Sequence, residues 1–178
     1  METKEKSLLE RKFLIPVLLA ITAVAVCVTV WALFFRDKGP VLTPDYAPKE
    51  EEQYAESIPD DSAEKMDLPQ GGGSVSLTYA REVTIDLTDR MASLYFANPG
   101  KSNQDIVLQV VVQDTVIVQS GTLKPGNQVS MLELLEGAEK LLSAGGYDGK
   151  FVVHYYHPET AEKAVLNTEI PITITVNE

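Results

Sequence analysis

Two histidines are the first side chains in this sequence that could bind a metal or move a proton. His154 and His157 are three residues apart in a stretch with strand-like alternation, so their side chains are expected on opposite faces of a strand. The two histidines are therefore not expected to form a metal pair. The sequence also lacks the G-x-S-x-G, HExxH and Walker spacings. We therefore predict no catalytic residue, no cofactor site and no metal site, and we expect the protein not to be an enzyme.

Two acidic pairs could attract Ca²⁺. They are Asp60 with Asp61, and Asp86 with Asp89. Neither pair reaches the density of oxygen ligands found in a dedicated calcium loop, and solvated turns explain both.

An uncharged apolar run occupies residues 13–35 and dominates the N-terminal part of the chain. As a helix it would be roughly 34 Å long, enough to cross a hydrocarbon core of about 30 Å. We predict a retained transmembrane helix. Lys4, Lys6, Arg11 and Lys12 precede it and only Arg36 and Lys38 follow closely, so residues 1–12 are predicted to be a cytoplasmic tail with the C-terminal part outside the cell.

Two other interpretations of this run stay open. A cleaved signal peptide would have a shorter apolar region and a small-residue cleavage site, whereas this run ends in Phe34 and Phe35. A bacterial lipoprotein would carry lipid on Cys27, but the preceding Val26 is not small and apolar sequence continues beyond it. Cys27 is the only cysteine, so no disulfide is expected, which suits a bacterial surface more than a eukaryotic secreted module.

Acidic residues are in excess in both parts of the chain that follow the run. Residues 37–73 hold ten acidic and three basic side chains, and residues 74–178 hold thirteen and seven. Both parts would be repelled by a phosphate backbone, so nucleic acid is not an expected partner.

Residues 36–73 lack hydrophobic periodicity and are rich in proline and acid. Such a composition buries too little apolar surface to offset the entropy of ordering, which predicts a disordered acidic linker. An alternative is that Tyr46 and Tyr54 form a docking motif among the acidic residues.

From residue 74 onward the hydrophobic period is two. The clearest alternation is Ile106, Leu108, Val110 and Val112, and similar patterns recur between turns about every 8–12 residues. Residues 134–144 are the one segment with helical leucine spacing, ending at Gly145, and Pro171 indicates an edge strand or a bulge. The pattern predicts an all-β, antiparallel sandwich of about seven to nine strands over residues 74–178.

Several turns make residues 74–176 resemble the immunoglobulin-like extracellular domains of Gram-positive bacterial surface proteins. The resemblance rests on Asn98-Pro99, on residues 123–126, on Gly145-Gly146-Tyr147 and on the ending at residues 172–176. In such folds a tyrosine hydroxyl at the position of Tyr147 bonds back to the preceding turn. The resemblance also raises a lysine–asparagine cross-link, for which Lys150 and Asn167 would be the candidates. A surface lysine and a turn asparagine explain these two residues without any bond.

The leading functional hypothesis is a single-pass membrane protein that displays this domain to bind an unknown surface or envelope protein. The contact would use an exposed strand edge or the loops at residues 98–104 and 157–161. A second hypothesis is an accessory subunit of an envelope secretion or conjugation assembly, with Ala25 and Thr29 as a small-xxx-small pair in the span. A third is a surface hydrolase, for which the sequence shows no site.

Overall fold

A computed structural model describes residues 17, 19, 21–27, 29, 44–61, 64–67 and 72–178. The chain divides into two compact units, Met1–Gly39 and Pro40–Glu178. In the first unit the described residues are helical, and Thr29 donates a side-chain hydrogen bond to the carbonyl of Ala25 (2.8 Å). The described residues contain no helix that is both long and apolar enough to cross a membrane. The predicted tail and the rest of the predicted span lie outside the described residues.

The described residues of the second unit form nine β-strands and one short 3₁₀ helix, Ala138–Lys140. The strands are β1 (Glu56–Ser57), β2 (Thr78–Tyr79), β3 (Glu82–Asp86), β4 (Met91–Asn98), β5 (Asp105–Val112), β6 (Thr115–Gln119), β7 (Asn127–Glu133), β8 (Gly145–Tyr156) and β9 (Lys163–Asn177).

The strands form one curled sheet in the order β1-β7-β4-β3-β9-β8-β5-β6, with β2 paired to β4. The curl brings β4 and β8, which are not neighbours in the sheet, face to face: the rings of Phe96 and Phe151 meet edge-on at 5.4 Å. The alternation predicted for Ile106, Leu108 and Val110 directs these side chains into the core, where all three are fully buried. The mostly-β architecture predicted from the sequence is confirmed.

The prediction of a wholly antiparallel sandwich is wrong, because the sheet is mixed. β3 runs parallel to β9, with Glu82 opposite Thr173 and Asp86 opposite Asn177. β2 and β3 both lie along β4, β2 pairing with its second half and β3 with its first. Of these two strands only β3 also pairs with β9, and it pairs with residues 173–177. Among the described residues, the first part of β9 therefore has a neighbouring strand only on the side of β8.

The predicted helix over residues 134–144 reduces to the 3₁₀ turn Ala138–Lys140. At the start of residues 134–144 the backbone pairs with β6. Leu134 forms a bridge with Val118, and the amide of Leu135 donates to the carbonyl of Ile117 (2.9 Å). Ala138 and Leu142 enter the core. The leucine spacing therefore reflects burial in a turn segment, and the glycine predicted to end a helix begins β8 instead.

The structure also differs from the prediction of a disordered linker over residues 36–73. We call residues 44–61 the strap, because they lie along the domain and hydrogen-bond to it at several points. The amide of Ala47 donates to the carbonyl of Ala161 (2.8 Å), that of Ile58 donates to the carbonyl of Gly126 (2.8 Å), and β1 pairs with β7. The contacts come from residues distant in sequence, which composition does not reveal. Linker residues 36–43, 62–63 and 68–71 lie outside the described residues.

Two local expectations are confirmed. The hydroxyl of Tyr147 accepts a hydrogen bond from the amide of Ser143 and donates one to its carbonyl, both at 3.0 Å. Pro171 lies in the half of β9 that β3 does not reach, as expected for a residue without an N–H.

Candidate functional site

The two histidines predicted not to form a metal pair lie in different settings. His154 is buried on β8, and its Nε2 lies 3.1 Å from Oε1 of Gln109, whose Nε2 donates to Gln119 (2.7 Å). Burial, with a smaller effect of Lys163, lowers the pKa of His154 to about 4. The imidazole is therefore neutral at pH 7 and belongs to a structural network. His157 is exposed in the β8–β9 turn, where its Nδ1 accepts from the amides of Glu159 and Thr160.

The acidic pairs stabilise turns. Asp86 Oδ1 accepts hydrogen bonds from the amides of Thr88 (2.8 Å) and Asp89 (3.1 Å), and Asp61 accepts one from the amide of Gly100. Among the residues that the structure describes, no three His, Cys, Asp or Glu side chains come together in a geometry suited to a metal ion.

Lys150 and Asn167 are not placed for a cross-link. Lys150 lies opposite Pro171 on β9, and Asn167 lies opposite His154 on β8. The two residues are thus four register positions apart, roughly 13 Å along the strands. Lys150 instead pairs with Glu169, with Nζ 2.9 Å from the carboxylate.

The two loops suggested as contact surfaces have opposite exposure. In residues 98–104, Asn98, Ser102 and Gln104 are buried, and the side chain of Asn98 donates to the carbonyls of Gln104 (3.0 Å) and Leu123 (3.1 Å). This loop is internal structure and not a free binding loop. Residues 157–160 are exposed, so the β8–β9 turn keeps the accessibility that the hypothesis needs.

One sheet edge is closed by the strap, and its contacts are specific. The carboxylate of Glu52 accepts hydrogen bonds from the amides of Gly121 (2.6 Å) and Tyr54 (3.0 Å), and it is buried. A Cβ on Gly121 would lie 3.0 Å from the backbone of Glu52, so the strap would have to shift to make room for a side chain there. Nearby, the backbone of Glu52 donates to the carbonyl of Thr122 (3.0 Å). The strap therefore binds a site shaped for it.

Two groups near the strap, Tyr156 and Asp105, have raised pKa values. The carbonyl of Pro44 accepts a hydrogen bond from the hydroxyl of Tyr156 (3.1 Å), and burial, with a smaller effect of Asp45, raises the pKa of Tyr156 to about 12. Burial likewise raises the pKa of Asp105, while Lys124 opposes the shift. The hydroxyl of Tyr156 is the hydrogen-bond donor that holds this part of the strap.

A second edge, on β9, is left open. At the start of β9 the amide of Lys163 donates to Asp45 (2.9 Å), and beyond residue 172 the amide of Thr173 donates to Arg81 (2.9 Å). Between these two bonds, no backbone group of the described residues hydrogen-bonds to this side of β9. We call residues 164–171 of β9 the open edge.

The open edge carries exposed apolar side chains. Val165 is fully exposed and Leu166 is 77% exposed. They lie where the register of the β8–β9 pair shifts. Tyr156 pairs with Lys163 and His154 pairs with Asn167, so a step of two residues on β8 corresponds to a step of four on β9. This bulge separates β9 from β8 locally and leaves both side chains outside the core.

No protein-family model and no curated protein matches the chain. Among solved structures, the chain is similar to AggA, the major subunit of aggregative adherence fimbriae type I from Escherichia coli. The identity is 11% and the TM-score 0.29, with 60% of this chain and 97% of that chain covered. It is also similar to the CooA pilin subunit from enterotoxigenic Escherichia coli, at 12% identity and a TM-score of 0.26, covering 58% of this chain and 99% of that chain. Both TM-scores are too low to carry an argument about fold or function. The suggested relation to Gram-positive surface domains stays a prediction.

Sequence reasoning did not single out Glu52, Val165 or Leu166. Glu52 belongs to an acidic run that looks like solvated linker, and its role depends on Gly121, far along the chain. Val165 and Leu166 look like part of a buried strand, and adjacent apolar residues on a strand are one available signal of a bulge.

Proposed function

We propose that this protein is a single-pass, membrane-anchored surface protein that binds another protein through its β domain and has no catalytic role. The uncharged run at residues 13–35 would hold it in the membrane, with the basic N-terminal tail in the cytoplasm and the domain outside. The observation that carries the binding role is the open edge, where Val165 and Leu166 are exposed beside an unpaired stretch of strand. Exposed apolar side chains and free strand edges are both features of binding surfaces.

Site-specific photo-cross-linking in the native membrane tests the binding role. A photoreactive amino acid replaces Asn167 on the open edge or, as a control away from that edge, the exposed Met131 on β7, which pairs with Ser93 of β4. We expect a covalent adduct with another protein at position 167 and none at 131. Equal adducts at both positions, or none at either, would contradict the proposal.

Thiol labelling of intact cells tests the orientation. A Lys140→Cys variant in a Cys27→Ser background carries one thiol in the 3₁₀ turn. We expect a membrane-impermeant maleimide to label it without cell lysis. Labelling only after lysis would place the domain inside the cell.

A further inference from the structure

We infer that the open edge binds a short extended peptide segment of the partner, which adds to β9 as a further strand and is neutral or basic in charge. This inference rests on the proposed function and specifies the chemistry of the partner.

The backbone of the open edge offers a periodic set of hydrogen-bonding groups. The amides of Lys163 and Thr173 both point to this side of β9. Backbone groups alternate sides along a strand, and the bulge adds an even number of residues, so the amides and carbonyls of Asn167 and Glu169 point the same way. Pro171 contributes only a carbonyl. An extended peptide would satisfy these groups, whereas a helix or a flat surface would leave them unpaired.

The ends of the open edge limit what can bind. Asp45 occupies the position beside Lys163, and Arg81 occupies the position beside Thr173. A strand placed between them has room for roughly five to seven residues. A second copy of this chain does not fit by pairing β9 with β9 in antiparallel fashion. Its own strap and β3 would close its edge at the same positions and would overlap the first copy.

The side chains define the rest of the partner. Alternation places Leu166 and Thr168 on the face of β9 that carries the buried Ile170 and Ile172, and it places Asn167 and Glu169 on the outer face. The partner strand would therefore set apolar side chains beside Leu166.

The net charge of the domain favours a partner without acidic groups. Close to the open edge the acidic Asp45, Glu162 and Glu169 are balanced by the basic Lys163, Lys150 and Arg81, so the preference comes from the wider domain. The domain as a whole is acidic. Opposite charge on the partner would speed association and disfavour acidic competitors.

A defined peptide tests the inference against the full-length protein in lipid nanodiscs. The probe is the fluorescent peptide Lys-Val-Thr-Val-Thr-Val-Lys, and binding is measured by anisotropy. Asn167→Pro removes an N–H that points away from β8, and Asn167→Ala is the matched control that keeps it. We expect the proline variant to bind at least about tenfold more weakly than the alanine variant. A peptide with Glu in place of Lys should also bind more weakly, and added salt should reduce that difference.

Equal affinities of the proline and alanine variants, or no binding to the unmodified protein, would overturn strand addition. Unfolding temperatures of both variants confirm that they fold, and Glu169→Pro serves as the second test if Asn167→Pro does not. If position 167 yields a photo-adduct while proline leaves peptide affinity unchanged, strand addition is wrong and the proposed binding role stands. If position 167 yields no adduct, the proposed function fails as well.

Discussion

Two sheet edges of the domain differ: the strap covers one, and the other has no strand beside it among the described residues. At residues 121–128 the edge is covered by the strap, with backbone bonds, a buried carboxylate and a glycine that leaves room for the chain. At residues 164–171 of β9 the edge has no backbone partner among the described residues, and it exposes Val165 and Leu166. Free strand edges are templates for pairing with other chains, and proteins commonly protect them. We propose that the covered edge serves stability and that the open edge serves binding.

The largest expected effect is at the covered edge. Gly121→Val would place side-chain atoms against the backbone of Glu52 and Glu50, which lie 3.0–3.1 Å from the position that a Cβ would occupy. We expect a loss of about 3 kcal/mol in the free energy of unfolding, measured by chemical denaturation. Gly146→Ala is the control, because open space surrounds that position. Equal losses in the two variants would show that the strap does not depend on this close approach.

The next effect concerns the carboxylate that holds the strap. Glu52→Ala leaves the part-buried amide of Gly121 without its acceptor, which should cost about 2 kcal/mol of unfolding free energy. The adjacent Glu51→Ala removes only an exposed ion pair with Lys124 and should cost much less. Denaturation of both variants checks the order, and a larger loss for Glu51→Ala would contradict it.

A pH effect is expected beside the open edge, where His154 lies opposite Asn167. Its pKa is lowered from 6.5 to about 4 in the folded protein, so the unfolded chain binds a proton more readily between these values. Stability should therefore fall as pH drops through this window, by roughly 1–2 kcal/mol after allowance for solvent screening. His154→Gln keeps an amide donor for Gln109 but does not titrate. If the variant shows the same pH dependence as the unmodified protein between pH 6.5 and 4, His154 is not its source.

The smallest effect on stability is expected on the open edge itself. Leu166→Ser should change the free energy of unfolding by less than about 0.5 kcal/mol, because the side chain is 77% exposed. It should nevertheless reduce peptide binding and the photo-adduct at position 167. A large loss of stability would mean that Leu166 serves the fold, and unchanged binding would remove it from the contact surface.

Features that depend on local pattern could be predicted from the sequence. The alternation of Ile106, Leu108 and Val110 identified β5, and the Gly-Gly-Tyr sequence identified the Tyr147 turn. The missing N–H of Pro171 indicated an edge, and this is the strand that carries the candidate site.

Features that depend on distant partners could not be predicted. The strap is acidic and proline-rich, and it is ordered through contacts with distant residues such as Gly121, Thr122 and Gly126. Residues 134–144 have helical spacing, but pairing with β6 takes the backbone groups that a helix would use. The open edge exists because β3 pairs only with residues 173–177 of β9 and β2 pairs with β4, which is a property of topology and not of any one segment.

The strap also has a mechanical consequence. Its bonds to the domain are spread along the chain from Pro44 to Ile58, so a pull applied at Pro44 would break them one after another. Fully extended, residues 44–58 are roughly 50 Å long, and we expect release of the strap to lengthen the protein by this length less the distance that the bound strap already spans. The strap would then detach from the domain under load and bind to it again when the load is removed.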